Sequence, residues 1–320
     1  MLHETRRMAQ AKPRLRAVLT WPIAMAAAAM LSGGVQAQWS AFQATINGAQ
    51  ETPPTGSTAT GSGLFTFNPS TNMLNYTISF TPLATGEVAA HLHQGAFGVA
   101  GPVIVPLPLG SPITGSLAIP VAQVANLMAG NTYVNFHSNA FPGGEIRGQV
   151  VTSPAVGNSF CDPGVGNTIP CPCGNPPAGP GQGCDNSAAT GGAVLKAQGN
   201  PSLAADTLVF TTTGEKPTAT SIVLQGDNVS ATGVPFGQGV RCVAGALKRL
   251  YTKTASAGSI AAPDVTDPRV AARSAALGDN IPAGGVRNYM VYYRDPTVLG
   301  GCPASSTFNG TQAIAITWGP

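Results

Sequence analysis

The sequence predicts an all-β protein: an N-terminal antiparallel β-sandwich with one short helix, then a disulfide-stapled β-sandwich or jelly roll. Three observations lead there. Apolar residues recur at every second position over many short stretches, the period of a half-buried strand. The 320 residues include 40 Gly and 28 Pro, about a fifth of the chain, which punctuate those stretches at turn spacing. Charged residues make up only 9%, against about 25% in ordinary soluble domains. That composition excludes coiled coils, helical bundles and charge-rich disordered chains. No stretch of 18 or more uninterrupted apolar residues occurs, so a polytopic membrane protein is excluded too.

Residues 1–37 read as a secretory signal peptide. Arg6, Arg7, Lys12, Arg14 and Arg16 precede an apolar run from Ala17 to Leu31, which ends at Val35-Gln36-Ala37, a small-x-small cleavage site. The run is too short, and too broken by Pro22, for a membrane anchor. The leader holds five basic residues and one acid. Of the chain's 16 basic and 13 acidic residues, 11 and 12 therefore remain after cleavage, net −1. Binding to nucleic acid needs a basic patch to neutralise phosphates, and none is expected.

Cysteine and charge divide the rest. Residues 38–151 contain no Cys, and their only charges are Glu51, Glu87, Glu145 and Arg147. Residues 152–159 form a linker. Residues 160–320 hold all six Cys and form a second β domain.

In the first domain, Leu64-Phe65-Thr66-Phe67 and Leu74-Asn75-Tyr76-Thr77-Ile78-Ser79-Phe80 alternate around the turn Asn68-Pro69-Ser70-Thr71-Asn72, so they predict a hairpin. Further strands are expected at 40–46, 88–93, 102–107, 115–119, 132–138 and 145–151. Residues 120–129 are a short helix, with Pro120 at its start and Gly130 past its end.

Four motifs follow in order. Glu51-Thr52-Pro53-Pro54 comes first, then His91-Leu92-His93-Gln94-Gly95 with Gly101-Pro102-Val103. Next is Leu127-Met128-Ala129-Gly130-Asn131-Thr132-Tyr133-Val134-Asn135-Phe136-His137-Ser138. Phe141-Pro142-Gly143-Gly144-Glu145-Ile146-Arg147-Gly148-Gln149 closes the set. Over residues 39–151 this resembles the CHRD domain, repeated in chordin and found singly in secreted bacterial proteins. The resemblance implies an extracellular binding module. It does not imply a growth-factor ligand.

Outside the leader, the only histidines are His91, His93 and His137. Residues i and i+2 of a strand share a face, so His91 and His93 point the same way. His137 lies on another strand, with Val134 and Phe136 on the opposite face. Glu145 and Arg147 are also i and i+2. Two readings follow. In one, the histidines with Glu145, Arg147 and Asn135 form a buried polar network that pins strands together. In the other, the three imidazoles bind Cu or Zn and leave a coordination position open. His-x-His on a sandwich strand is similar to the copper site of Cu,Zn superoxide dismutases, but that family needs further His and Asp ligands, and no fourth His is present here.

In the second domain, strands are expected at 193–197, 207–213, 220–225, 247–254, 287–294 and 313–318. The stretch 288–294 alternates imperfectly, as a strand buried on both faces does. Cys161, Cys171, Cys173, Cys184, Cys242 and Cys302 form an even set behind a signal peptide, which favours disulfides. Fifteen pairings are open. Local staples among the four Cys of 161–184 would leave Cys242 and Cys302 for each other. The competing zinc knot lacks two C-x2–4-C pairs and any His in this domain. The domain resembles a recurrent C-terminal module of secreted bacterial proteins, in Phe160-Cys161, Cys171-Pro172-Cys173-Gly174-Asn175, Gly237-Gln238-Gly239-Val240-Arg241-Cys242-Val243, Tyr292-Tyr293-Arg294-Asp295-Pro296 and Thr307-Phe308-Asn309.

No nucleophile elbow, phosphate loop or dinucleotide fingerprint occurs. Asp264 and Asp267 read as turn caps, and Lys248-Arg249-Leu250-Tyr251-Thr252-Lys253 as a solvated strand face. The expectation is a secreted or cell-surface-associated, non-enzymatic binding or structural protein that contacts extracellular protein or polysaccharide. It would have no membrane span after cleavage and no cofactor. The alternative is a Cu- or Zn-binding protein that uses a three-histidine site in the CHRD-like domain and is open to redox activity.

Overall fold

The computed structural model describes Met1 and residues 38–320 apart from Ala304. The expected signal peptide lies outside the described residues. Among the described residues, no helix is long and apolar enough to cross a membrane.

Eight strands build the N-terminal sheet: β1 (Ser40–Asn47), β2 (Thr60–Asn68), β3 (Met73–Phe80), β4 (Glu87–Gln94), β5 (Val103–Pro106), β6 (Ile113–Ala118), β7 (Thr132–Ser138) and β8 (Ile146–Thr152). Their order is β5-β4-β7-β8-β1-β2-β3-β6, antiparallel throughout. The expected hairpin is β2–β3, and the Asn68 side chain caps its turn by accepting from the Ser70 N–H at 2.9 Å. The expected helix is α1 (Val121–Met128). It follows Pro120 and stops before Gly130, whose φ of 72° lets the chain reverse.

One long sheet becomes a sandwich by folding over itself. β7 and β3 stand four strands apart, about 19 Å if the sheet were flat. Yet the rings of Phe136 on β7 and Phe80 on β3 lie 4.5 Å apart. The even-numbered side chains Ala90, Leu92, Val134, Phe136, Ile146 and Val150 thus share one core with Phe42, Phe65, Phe67, Leu74 and Ile78.

The C-terminal half adds β9 (Asn158–Phe160), β10 (Val194–Gln198), β11 (Val209–Thr213), β12 (Thr220–Gly226), β13 (Asn228–Phe236), β14 (Gly239–Ala244), β15 (Lys248–Thr254), β16 (Ala261–Ala262), α2 (Val270–Ala276), β17 (Val286–Arg294), β18 (Phe308–Gly310) and β19 (Ala313–Thr317). The main sheet runs β15-β12-β17-β19-β9, with β18 also on β17. β17 is buried on both faces, as its imperfect alternation suggests. Tyr289, Val291 and Tyr293 pack with Leu195 and Phe210 of the small β10-β11-β16 sheet. Met290 faces the other way, onto Cys161, Val240 and Cys242. The segment read as a linker is tied to both halves. The Ser153 N–H donates to Ala41 O at 2.9 Å, Ala155 bridges Gln198, and residues 158–160 form β9.

Three disulfides join Cys161–Cys242, Cys171–Cys184 and Cys173–Cys302. Among the described residues no Cys is free. The expected pairing of Cys242 with Cys302 is therefore corrected. Only Cys171–Cys184 is a local staple. Residues 161–184 have no core of their own, so the other two bridges fasten them to β14 and to the loop after β17.

Candidate metal centre

The outer face of β4, β7 and β8 carries the odd-numbered residues. Register places His91 opposite Asn135, and Asn135 opposite Arg147. One step along, His93 pairs with Tyr133 and Tyr133 with Gln149. His137 pairs with Ala89. Strand alternation puts all of these on one face, away from Leu92, Val134 and Phe136. That face is polar yet covered, and all seven residues of β7 are buried.

The histidines converge. One ligand nitrogen from each of His91, His93 and His137 lies within 4.8 Å of the others. His93 Nδ1 is 2.9 Å from Gly101 O, and His137 Nδ1 is 3.1 Å from Pro142 O. A carbonyl oxygen only accepts, so both Nδ1 atoms carry hydrogen and both Nε2 atoms offer a lone pair. His137 Nε2 meets His91 Nδ1 at 3.2 Å. His93 Nε2 is buried with no hydrogen-bond partner among the described residues. Burial holds the pKa of His93 below the ordinary imidazole value, against the Gly101 carbonyl and with help from His91, His137 and Arg147. His137 is lowered for the same first reason. Both are thus neutral near neutral pH, the state a metal requires.

These residues fit a borderline metal. Zn–N bonds of about 2.0–2.1 Å set nitrogens about 3.3 Å apart along a tetrahedral edge, close to the His91–His137 spacing of 3.2 Å. Imidazole suits Cu and Zn, whereas Ca²⁺ and Mg²⁺ want oxygen ligands. Carbonyls on the far nitrogens are the usual outer support of metal-binding histidines.

His93 is further held by Tyr133, whose ring stacks on it at 4.9 Å and 13°. Arg147 lies over the other face of Tyr133. Its guanidinium donates to Ala96 O at 2.8 Å, Val99 O at 3.0 Å and Gln149 Oε1 at 2.9 Å. Glu145 does not pair with it. Glu145 accepts from the Ser57 hydroxyl at 2.6 Å and the Ala84 N–H at 2.8 Å. Burial alone would raise its pKa, but hydrogen bonds, with Ser138 among the donors, bring it below the usual value. The expected network of the histidines with both Glu145 and Arg147 is thus corrected: Arg147 belongs to it, and Glu145 is held elsewhere. Arg147 stays on the shared face over Tyr133, whereas Glu145 precedes β8 and its carboxylate is held by Ser57 and the Ala84 N–H.

The carboxyl near Arg147 is Glu51, in the first motif. Burial lifts its pKa to about 7, against the pull of Arg147, the Thr52 N–H and Asn135. Glu51, Tyr133 and Gln149 received no role from the sequence. The two-residue period that places the histidines also places Tyr133 and Gln149. Glu51 reaches the network through a turn, where no periodicity operates.

No curated protein and no solved structure matches this chain. Residues 42–150, which contain the whole histidine cluster and its supporting loops, match the family model of the CHRD domain, so the N-terminal sandwich is a CHRD domain.

Proposed function

We propose that the chain is a secreted binding or structural protein whose CHRD domain holds one copper or zinc ion on His91, His93 and His137. The observation that carries this reading is the buried, partnerless Nε2 of His93, facing two other imidazoles. A purely structural network would leave that acceptor unsatisfied at a cost of about 1–3 kcal/mol. The disulfides favour an oxidising, extracellular setting.

In this reading the Gly101 and Pro142 carbonyls fix two rings, and the loops over the sheet keep bulk water from His93. Bound copper would add one-electron chemistry, and zinc a cross-link between β4 and β7. The wider partner is an extracellular protein or polysaccharide, since the mature charge of −1 suits no nucleic acid.

Titration of the full chain with Cu(II) and Zn(II), by calorimetry, tests the metal reading. One equivalent should bind, and the His93→Ala/His137→Ala variant should bind none while keeping its β-sheet circular dichroism. Absence of binding in the wild type would return the histidines to a network that only pins strands.

A further inference from the structure

The three histidines are not held equally. His93 and His137 are only 8% and 9% exposed, and each is anchored through Nδ1 to a backbone carbonyl. His93 is also stacked on Tyr133. His91 is half-buried, and among the described residues its one ring hydrogen bond runs to His137. Among the described residues, no carbonyl or carboxylate fixes its second nitrogen. On the side away from β7 its neighbour is β5, a four-residue edge strand with both end residues exposed. Across from His91 stands Pro106, which has no N–H to give.

We propose that His91 is the exchangeable ligand of the site, and that a small monoanion enters the coordination sphere at the His91 corner. This rests on the metal reading above. An outer-shell hydrogen bond fixes ring orientation and raises ligand basicity. Two of the three rings have that support and one does not, so the unsupported ring yields first. The charge of the incoming ligand follows from the surroundings. Three neutral imidazoles leave a divalent ion's charge uncompensated, and the positive charge of Arg147 reaches His93 from behind Tyr133. Among the described residues, no carboxylate belongs to the cluster. A small anion is therefore favoured over a neutral or cationic ligand.

The test loads the full chain with one equivalent of Cu(II) and adds azide, followed by electron paramagnetic resonance and by copper retention against a competing chelator. Azide should change the copper spectrum of the wild type. His91→Ala should keep its copper with affinity lowered about tenfold, whereas His93→Ala and His137→Ala should each lose a hundredfold or more. Added imidazole should restore the wild-type spectrum to His91→Ala. The proposal is overturned if azide leaves the wild-type spectrum unchanged, a result that needs no variant to fold. It is overturned equally if His91→Ala loses copper as completely as His93→Ala. Failure of the wild type to bind copper at all would overturn the metal reading together with this one.

Discussion

The guanidinium carbon of Arg147 sits 3.5 Å from the centroid of the Tyr133 ring, whose opposite face stacks on His93. A buried cation, an aromatic ring and a candidate metal ligand thus form one column across three strands. The column ties β8 to β4 through β7, and Arg147 extends it to the loop of residues 96–99 through two carbonyls.

Replacing Arg147 with Met should therefore cost more than a surface charge would. The Ala96 and Val99 carbonyls and the Gln149 side chain lose their donor, and Tyr133 loses its cation. A loss of about 3 kcal/mol is expected from these combined effects. Urea denaturation measures it. A loss under about 0.5 kcal/mol, the size of an ordinary surface substitution, would contradict the column's role.

Gly101 supplies the carbonyl that orients His93, and its own backbone position admits no side chain. A Cβ there would lie 1.7 Å from Gln94 O. Gly101→Ala should open the turn between β4 and β5, destabilise the fold by about 2 kcal/mol and weaken metal binding roughly tenfold through the freed His93 ring. Comparison of thermal melts and metal titrations separates the two effects. Unchanged affinity in a destabilised variant would show that the carbonyl does not position His93.

A pH dependence comes from the C-terminal half. Glu215 is fully buried, and burial lifts its pKa from 4.5 to about 7 although the Ser221 and Thr212 hydroxyls donate to it. The folded state therefore binds this proton more tightly than the unfolded chain. Its contribution is fully present below about pH 4.5 and is lost as pH rises through 7, by about 3 kcal/mol at most. Glu215→Gln should remove that slope. Melting temperatures of both proteins from pH 4 to 9 check it, and parallel curves would refute the assignment.

The disulfides differ in the length of chain they close: 13 residues for Cys171–Cys184 and 129 for Cys173–Cys302. Loop-closure entropy assigns them about 3 and about 5 kcal/mol. The Cys173→Ser/Cys302→Ser variant should melt below Cys171→Ser/Cys184→Ser. Peptide mapping under non-reducing conditions should recover the three pairs described.

Much of this was legible in the sequence, and the reason is periodicity. All eight N-terminal strands and α1 lie where alternation and turn residues put them. His91 and His93 share a face because strands repeat every two residues. The grouping of His137 with His91 and His93 is expected from the sequence, but alternation does not encode register between distant strands, so the direct 3.2 Å approach of His137 to His91 comes from the structure. Glu51 lies in a turn rather than a strand, so no alternation points to it. In the C-terminal half, the β13–β14 hairpin and α2 escaped notice. β13 is largely exposed and interrupted by Gly233 and Pro235, so it carries weak alternation. The short α2 has no side-chain N-cap to mark its start. The disulfide pairing followed tertiary packing rather than Cys spacing.

The central claim is that three histidines hold a metal. Elemental analysis of the protein purified from an oxidising compartment, before and after mild chelation, tests it most directly. The expected result is about one Cu or Zn per chain, removed by the chelator and missing from a folded His93→Ala/His137→Ala variant. Less than a tenth of an equivalent in the wild type, with no uptake on adding either metal, would contradict the claim.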